Sequence, residues 1–303
     1  MSDMRTGINR AFRTYLEPPN ARAAIAKLDG AINDTVTSLT VDLASWQIPE
    51  DEELMRNGVL LEIDAELIEV LTYDELTGIC TVVRGVEGTT ATAHLDRNSI
   101  KLSPNYPRQS VFDALADNIV NLYPTLYTVR AMEVMGPGVA AMEDPLAVDI
   151  VEMWAGASGY GSNIEGRIVD FHPSVGGRAV IFDGDRGNGG PGLGSAWVRY
   201  RRRFGSATSE DDTFEELGLD SRWVNIAIIG ACADLFIGAD MEASQVEWVG
   251  GVLAAENIPV GTRSQVAAAM LRYREVLIDK AKSEMRAEYK TRMRFRPTQV
   301  SFR

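Results

Sequence analysis

Hydrophobic and polar residues alternate in five short segments of the chain between residues 30 and 104. A period of two, enriched in β-branched residues, is typical of strands that bury one face. A single residue, Asp64, links the second segment to the third and predicts a hairpin, and residues 74–78 predict a second turn. Short strands at this spacing predict a small β-barrel or sandwich over residues 30–104. The five segments are residues 35–41, 58–63, 65–71, 79–84 and 98–102.

A second group of strand patterns lies between residues 126 and 210. Glycine-rich links separate its members, and the longest link covers residues 184–192. Glycine favours tight turns, so these links are typical of strand connections. The region therefore predicts a β-sandwich over residues 126–210. Its five candidate strands are residues 126–129, 148–154, 166–171, 178–182 and 196–200.

Apolar residues take up helical spacing between the two β regions. Over residues 110–123 they recur at i, i+3 and i+4, with acidic residues on the other face. Ser110 is the predicted N-terminal cap, and Pro124 is predicted to end the helix.

Helical patterns return after residue 211. Ser221 caps a predicted helix that ends at Gly238, and a short helix is predicted over residues 243–256. Thr262 opens a capping box that starts the longest predicted helix, which runs to about residue 291. None of these helices can bury its apolar face alone, so we expect them to pack with the earlier helix.

These patterns predict an α+β protein. It contains a helical bundle unit that an inserted β-sandwich splits in two, and a long C-terminal helix followed by an extended tail. The predicted parts are an N-terminal arm (1–29), a small β module (30–104), a helical unit (105–125 and 211–291), the inserted sandwich (126–210) and a basic tail (292–303).

The 303 residues carry a formal net charge of -13, and this charge is unevenly distributed. Residues 271–303 hold ten basic and four acidic side chains, a local charge of +6, which leaves -19 on residues 1–270. Affinity for DNA comes mainly from neutralising phosphates, so the acidic body is a poor candidate for DNA binding. A basic end on an acidic body is typical of an interaction tail.

Few residues of the chain suit metal or acid–base chemistry. Cys80 and Cys232 lie in apolar runs and are predicted to be buried free thiols, and His94 and His172 are the only histidines. The longest apolar run, residues 223–237, is too short and too polar to cross a bilayer. No secretory signal pattern opens the sequence, so we expect synthesis in a reducing cytoplasm and no membrane association.

Three groups of polar residues are weak candidates for a site. Residues 183–188 resemble an oxygen-rich cation loop, but a glycine-rich hairpin loop explains them as well. Asp170 and His172 share a strand face without a nucleophile motif nearby. An acidic edge is interpreted as a solvated barrel face, with metal binding as the alternative. We therefore predict no catalytic, metal or cofactor site and no enzyme activity. The acidic edge consists of Glu62, Asp64, Glu66 and Glu69.

Residues 197–204 form a basic strand with aromatic residues. Arg199, Arg201 and Arg203 alternate along it, so they share one face. In an acidic chain this face is predicted to meet a neighbouring copy. A plain solvated strand and a DNA contact are the alternatives.

One stretch of the chain resembles a known family of modules. Residues 83–94 read VRGVEGTTATAH, and residues 61–70 before them read LEIDAELIEV. The combination resembles a β module common in structural proteins of tailed bacteriophages, with the pattern V-x-R-G-x-x-G-T-x-A-x-x-H. Gly85 and Gly88 allow a turn with positive backbone angles, and His94 closes the loop. The resemblance implies a structural role.

The order of elements resembles the head-to-tail adaptor (connector) proteins of long-tailed bacteriophages, particularly those of actinobacterial hosts. The resemblance implies a dodecameric ring in the virion neck. The portal protein lies above it, a stopper or tail-terminator protein lies below it, and genomic DNA passes through without sequence-specific binding. Trp223 and Trp248 are candidates for the subunit interface. The tail residues expected to bind the portal are Arg292, Met293, Arg294, Phe295, Arg296, Val300 and Phe302.

Other functions remain open at the level of the sequence. A stopper is one, and a tail accessory protein whose β-sandwich binds a receptor or glycan is another. Trp154, Tyr160 and Trp197 would then stack on sugar rings. A cell-wall hydrolase would require paired carboxylates or a metal site.

Overall fold

A computed structural model describes most of the chain. The described residues are 3–16, 25–42, 45, 56–135, 139–141, 144–155, 171–173, 179–182, 195–250 and 262–288. Side chains are not described at residues 132–135, 139–141, 152–155, 171–173, 179–182, 195–197, 240–250 and 262.

Helices and strands both contribute to the architecture, which confirms the predicted α+β class. A π-helical turn (Phe12–Leu16) follows the first helix. The helices are α1 (Met4–Ala11), α2 (Arg108–Val120), α3 (Val224–Gly250) and α4 (Thr262–Glu288). The first six strands are β1 (Ile25–Asp29), β2 (Ser38–Val41), β3 (Leu60–Ile63), β4 (Glu66–Tyr73), β5 (Ile79–Arg84) and β6 (Ser99–Leu102). The later strands are β7 (Thr128–Met135), β8 (Val139–Ala141), β9 (Ala147–Ala155), β10 (Phe171–Pro173), β11 (Ala179–Phe182) and β12 (Ser195–Arg202).

Strands β1 to β6 form a closed antiparallel barrel in the order β1-β2-β5-β4-β3-β6. β6 pairs with β1, for example Lys101 with Ile25, so the barrel sheet leaves no free edge. The alternation in the sequence turns every second side chain inward, and these side chains form one apolar core. The predicted barrel is therefore confirmed. Its core includes Ala26, Leu28, Leu39, Val41, Leu61, Ile63, Ile68, Val70, Cys80, Val82, Ile100 and Leu102.

β1 is a barrel strand that the sequence pattern did not predict. Its five residues alternate in burial, with Ala26 and Leu28 fully enclosed. So short an alternation is a weak signal by itself, and β1 pairs with β2 on one side and with β6, more than 70 residues later, on the other. The strand depends on tertiary pairing that local patterns do not encode.

The β3–β4 connection is a hairpin, as the sequence predicts, but its turn has two residues where a one-residue link was predicted. Ile63 pairs with Glu66, and the turn consists of Asp64 and Ala65. Asp64 takes a positive φ of 57°, a conformation that aspartate tolerates better than most residues. This turn places Asp64 and Glu66 on adjoining parts of the barrel end.

Helix α2 begins at Arg108, two residues before the predicted cap Ser110, so that prediction is wrong. The carboxylate of Glu62 on β3 accepts a hydrogen bond from the backbone N–H of Arg108. A tertiary contact from the barrel therefore satisfies a free N–H group at the helix start. Glu62 also lies 3.6 Å from the ammonium group of Lys101.

Helix α1 is held by residues far along the chain. The backbone N–H of Met4 donates to the carbonyl of Asp212 at 3.0 Å, and that of Arg5 donates to the carbonyl of Glu210 at 2.9 Å. The guanidinium of Arg108 donates two hydrogen bonds, of 2.6 and 2.7 Å, to the Glu210 carboxylate. The segment around residue 210 therefore binds both α1 and α2.

The second β region contains two three-stranded antiparallel sheets. One has the order β7-β12-β9, and the other has the order β10-β11-β8. Three predicted strands are confirmed as β9, β11 and β12, whereas β8 was not predicted. Of the predicted strand at 166–171, only Phe171 lies within the described residues, where it begins β10. The sandwich packing of the two sheets remains a prediction.

Helices α3 and α4 each contain 27 residues and are about 40 Å long. The predicted break at Gly238 is wrong, because α3 continues through it to Gly250. Glycine weakens a helix by only about 1 kcal/mol. The fully buried residues before it, such as Ile228 and Cys232, fix the helix more strongly than that. Helix α4 begins at Thr262, as predicted.

The chain divides into two compact units. The first contains Met1–Asn118, Ala207–Thr213 and Ala227–Arg272. The second contains Ile119–Ser206, Phe214–Ile226 and Tyr273–Arg303. The predicted helical bundle and extended tail remain predictions.

Candidate functional site

The residues of the VRGVEGTTATAH stretch converge on one buried carboxylate, that of Glu66. Glu66 begins β4, Arg84 ends β5, and His94 lies in the loop before β6. The pairing of β4 with β5 sets Arg84 beside this strand end. A backbone bridge between Ile32 and His94 closes the loop over it. The expected loop-closing role of His94 is therefore confirmed.

Glu66 accepts five hydrogen bonds. Its Oε1 accepts from Arg84 Nε at 2.6 Å and from the Gly85 backbone N–H at 3.1 Å. Its Oε2 accepts from Arg84 Nη2 at 2.7 Å and from the Thr92 backbone N–H at 3.0 Å. His94 Nε2 lies 2.8 Å from the same oxygen. Both carboxylate oxygens are thus fully used by groups from three separate parts of the barrel.

The environment of Glu66 favours its ionised form. Burial by itself raises the pKa of a carboxyl group, but the hydrogen bonds from Arg84, Thr92 and His94 outweigh it. The pKa of Glu66 is therefore lower than its ordinary value of 4.5. A buried charge of this kind is tolerated because it is paired and hydrogen-bonded on every side.

His94 connects the buried carboxylate to the barrel surface. Its side chain is 1% exposed, and Nδ1 lies 3.0 Å from Oδ2 of the exposed Asp64. Asn98 Nδ2 donates to that same Asp64 oxygen at 2.9 Å. Its two ring nitrogens thus face two different carboxylates, Nε2 that of Glu66 and Nδ1 that of Asp64.

Arg84 uses its remaining donors on the barrel backbone. Nη1 donates to the carbonyls of Asn33 at 2.9 Å and Val36 at 3.3 Å, and Nη2 donates to the carbonyl of Thr92 at 2.6 Å. Its side chain is only 6% exposed. The guanidinium thus ties the β1–β2 loop and the 85–94 loop to Glu66.

Gly85 is required by the geometry of the loop. Its φ is +63°, and a Cβ there would lie 3.0 Å from the Thr89 carbonyl oxygen and 3.1 Å from the Ala91 backbone nitrogen. Gly88 also has a positive φ, of 81°, so the predicted turn with positive backbone angles is confirmed. Thr89 Oγ1 donates to the Val86 carbonyl at 2.8 Å and fixes the turn.

This hydrogen-bond network holds the end of the barrel together. Its donors and acceptors are used within the chain, and Glu66, Arg84 and His94 are buried. The expectation that the acidic edge is a solvated face is therefore wrong for Glu62 and Glu66, which are 3% and 2% exposed. Long-range partners enclose them, whereas Asp64 is exposed. Among the described residues, no group of three His, Cys, Asp or Glu side chains is placed to hold a metal ion.

The arginines of β12 have separate environments. Arg201 Nη1 lies 3.2 Å from Asp149 Oδ2, and its guanidinium lies over the Tyr127 ring, whereas Arg203 is exposed. Arg199 is half-buried and engaged in interactions. The subunit contact proposed for these three side chains remains a prediction.

Arg202 of β12 is buried and has a specific partner, although the alternating sequence pattern selected only Arg199, Arg201 and Arg203. It is 8% exposed and donates from Nε to Asp144 Oδ2 at 3.0 Å. Tyr200 donates to the same oxygen at 2.9 Å, and burial together with this carboxylate raises the pKa of Tyr200 to about 12. Asp144 lies almost 60 residues away, so no local signal could have identified the pair.

Trp223 is 2% exposed and lines a pocket of about 380 Å³. Helix α3 contributes Asn225 and Ile226 near its start, and the C-terminal half of α4 contributes the opposite wall. Trp223 Nε1 and Asn225 Oδ1 are buried and have no hydrogen-bond partner in the described part of the chain. The remaining lining residues are Arg222, Leu277, Lys280, Ala281 and Glu284. We call this cavity the Trp223 pocket.

Both cysteines are buried free thiols, as predicted. Burial raises the pKa of Cys80 and of Cys232 to about 12. Neither is therefore a reactive thiolate at neutral pH.

Several predicted site residues lie outside the described part of the chain. The tail 292–303 and the loop 183–188 are among them. Trp248 belongs to α3, but its side chain and that of His172 are not described.

The sequence matches no known protein-family model and no curated protein. Among the described residues, no helix is both long and apolar enough to cross a membrane.

Proposed function

We propose that the chain is a structural protein of the neck of a tailed bacteriophage, where it serves as a head-to-tail adaptor. Copies of the chain form a ring, expected to be dodecameric, beneath the portal protein. The ring extends the DNA channel and joins the head to a stopper or tail-terminator protein below. It is made in the host cytoplasm and incorporated into the virion.

The observation that carries this proposal is the use made of the VRGVEGTTATAH stretch. Its polar side chains hold the barrel end together through Glu66, with few groups left for substrate chemistry. In this proposal, the stretch that resembles a module of phage structural proteins has an architectural task, which these hydrogen bonds support. That is the task expected of a protein that must transmit force between head and tail without catalysis.

The charge distribution supports the same proposal. Residues 1–270 carry a net charge of -19. An acidic ring wall repels the phosphates of DNA, so DNA can slide through it without adhering. The chain surrounds DNA in this proposal but does not bind it by sequence.

The C-terminal tail is the proposed anchor to the portal. Arg292, Arg294 and Arg296 alternate with Met293 and Phe295. An extended segment of this kind can add to a partner's sheet, placing apolar side chains in pockets and arginines against carboxylates. The purified protein alone is expected to be monomeric or weakly associated, because the portal templates the ring.

Immunogold electron microscopy of virions tests the proposal. Antibody raised against the purified chain is expected to label the junction of head and tail, at one position per particle. Particles released from the same cells but lacking tails should carry the label at the portal vertex. Labelling of fibres or the baseplate, or no labelling of virions, would refute the neck assignment.

A further inference from the structure

The turn between β4 and β5, residues 74–78, is held by several hydrogen bonds of its own. Asp74 Oδ1 accepts from the Leu76 backbone N–H at 3.0 Å, and Oδ2 accepts from Thr77 Oγ1 at 2.7 Å. The Gly78 N–H donates to the Asp74 carbonyl at 2.8 Å, and the Asp74 N–H donates to the Ile79 carbonyl at 3.0 Å. The turn is therefore fixed before any partner arrives. We call it the Leu76 turn.

This turn presents a large apolar side chain to solvent. Leu76 is 92% exposed, the highest value among the exposed large hydrophobic side chains of the described residues. Ile79 at the base of the turn is 45% exposed. A single exposed leucine is ordinary on a protein surface. A leucine held on a preorganised turn is different, because binding it costs little conformational entropy.

The Trp223 pocket offers a matching receptor. Its apolar lining comes from Trp223, Ile226, Leu277 and Ala281. Its volume of about 380 Å³ lies within the usual range for a site that encloses a ligand group.

Charge complements shape between the two surfaces. Asp74 and Glu75 directly precede Leu76, so the turn carries two acidic residues beside its apolar tip. Lys280 in the pocket lining has a side chain that is 74% exposed. Its ammonium group lies 3.9 Å from Glu284 Oε1 on the same helix and remains accessible to a carboxylate from another molecule.

We infer that the Leu76 turn of one copy inserts into the Trp223 pocket of a second copy of this chain. The two surfaces differ, so the contact is heterologous, and its repetition generates a ring when the rotation closes. The inference rests on the proposed function for ring closure alone. The turn, the pocket and their charges are properties of the single chain.

Zero-length cross-linking of the unmodified protein tests the contact. A carbodiimide joins a carboxylate to an amine only when they touch. A concentrated equal mixture of ¹⁴N- and ¹⁵N-labelled protein is treated and digested, and cross-linked peptides are analysed by mass spectrometry. The expected product joins residue 74 or 75 to Lys280 and contains mixed isotopes. The intramolecular pair Lys280–Glu284, 3.9 Å apart, is the internal control and must appear unmixed.

A matched pair of variants tests the role of the Leu76 side chain. Leu76→Ser is expected to lower the yield of the mixed-isotope product at least about tenfold, the size expected when an interface anchor is lost. Leu95→Ser removes another exposed leucine, 74% exposed, from the same unit and should leave the yield unchanged. Absence of the mixed product in unmodified protein, or equal losses in both variants, would overturn the inference.

Charge reversal keeps the test decisive if Leu76→Ser is poorly folded. Glu75→Lys and Lys280→Glu are each expected to abolish association in sedimentation velocity at high concentration, and the double variant is expected to restore it. No restoration would count against the pairing. These experiments use purified protein, whereas the immunogold experiment uses virions. Loss of the contact between copies would therefore leave the neck assignment standing if the antibody labels the neck. Conversely, the contact can be confirmed even if the antibody labels another part of the virion.

Discussion

Gly218 leaves the space that the Arg202 guanidinium occupies. A Cβ built on Gly218 would lie 2.1 Å from Arg202 Nη1, and Gly218 has a positive φ of 81°. Arg202 Nη2 also donates to the nearby Glu216 carbonyl at 3.4 Å. The glycine and the arginine therefore depend on each other, although their identities show no relation in the sequence.

Gly218→Ala is the first prediction. The substitution places a side chain in a disfavoured backbone conformation and displaces a buried guanidinium, so we expect a loss of about 2–4 kcal/mol in unfolding free energy. Urea denaturation followed by circular dichroism measures it. Gly30→Ala is the control, because Gly30 has a φ of +86° but open space around its Cβ position. It should lose only the smaller backbone cost, and equal losses in both variants would contradict the role of Arg202.

Glu66→Gln is the second prediction. It removes the charge that compensates Arg84, and the guanidinium stays buried with a neutral partner. We expect a loss of about 3–5 kcal/mol, which is typical when one partner of a buried ion pair is removed. Glu69→Gln lies on the same strand at a half-buried position and should cost under about 1 kcal/mol. Comparable denaturation midpoints for the two variants would show that the Glu66 network does not stabilise the barrel.

The pH dependence of stability follows from the lowered pKa of Glu66. Its ionised form is favoured by folding, so its contribution is fully present above the unfolded value near 4.5. The contribution disappears as the pH falls through the lower pKa of the folded state. Unfolding free energies of the wild type should therefore drop as acid is added below that value. In Glu66→Gln the drop should be shallower, and parallel curves would argue against this assignment.

Thiol reactivity tests the two buried cysteines. With the pKa of Cys80 and Cys232 raised to about 12, thiolate is scarce at neutral pH. The folded protein is expected to react with Ellman's reagent only as fast as it opens, and both thiols should react at once in denaturant. Rapid labelling of either cysteine without denaturant would place it at an accessible position.

Deletion of residues 292–303 tests the proposed portal anchor. The truncated protein is expected to keep the unfolding midpoint of the full chain, because the deletion leaves the described elements complete. It should no longer co-sediment with DNA-filled heads. Full-length protein is the positive control, and truncated protein bound to heads at normal stoichiometry would remove the tail from the proposal.

Local patterns predicted the elements whose signals are local. Strand β5 and the start of α4 at Thr262 match the sequence pattern, because alternation and capping are properties of neighbouring residues. The Asp64 hairpin is encoded in the same way. The helix break at Gly238 was wrong, since burial earlier in the helix outweighs the weak propensity of one glycine.

Local sequence patterns could not predict the contacts of the candidate site. Glu66 and His94 lie 28 residues apart, and their contact exists only after the barrel closes. In sequence, Glu66 looks like a member of an acidic surface edge, and nothing nearby indicates that Arg84 will enclose it. The VRGVEGTTATAH stretch did locate the right loop, because glycines that need positive φ are visible in a sequence.

The attachment of α1 to residues 210–213 has a consequence for synthesis on the ribosome. The hydrogen-bond acceptors of Met4 and Arg5, which are Asp212 and Glu210, are translated about two hundred residues after them. Helix α1 therefore lacks these partners while the whole intervening β region is made. The first unit can close only after its later segments, Ala207–Thr213 and Ala227–Arg272, have been translated.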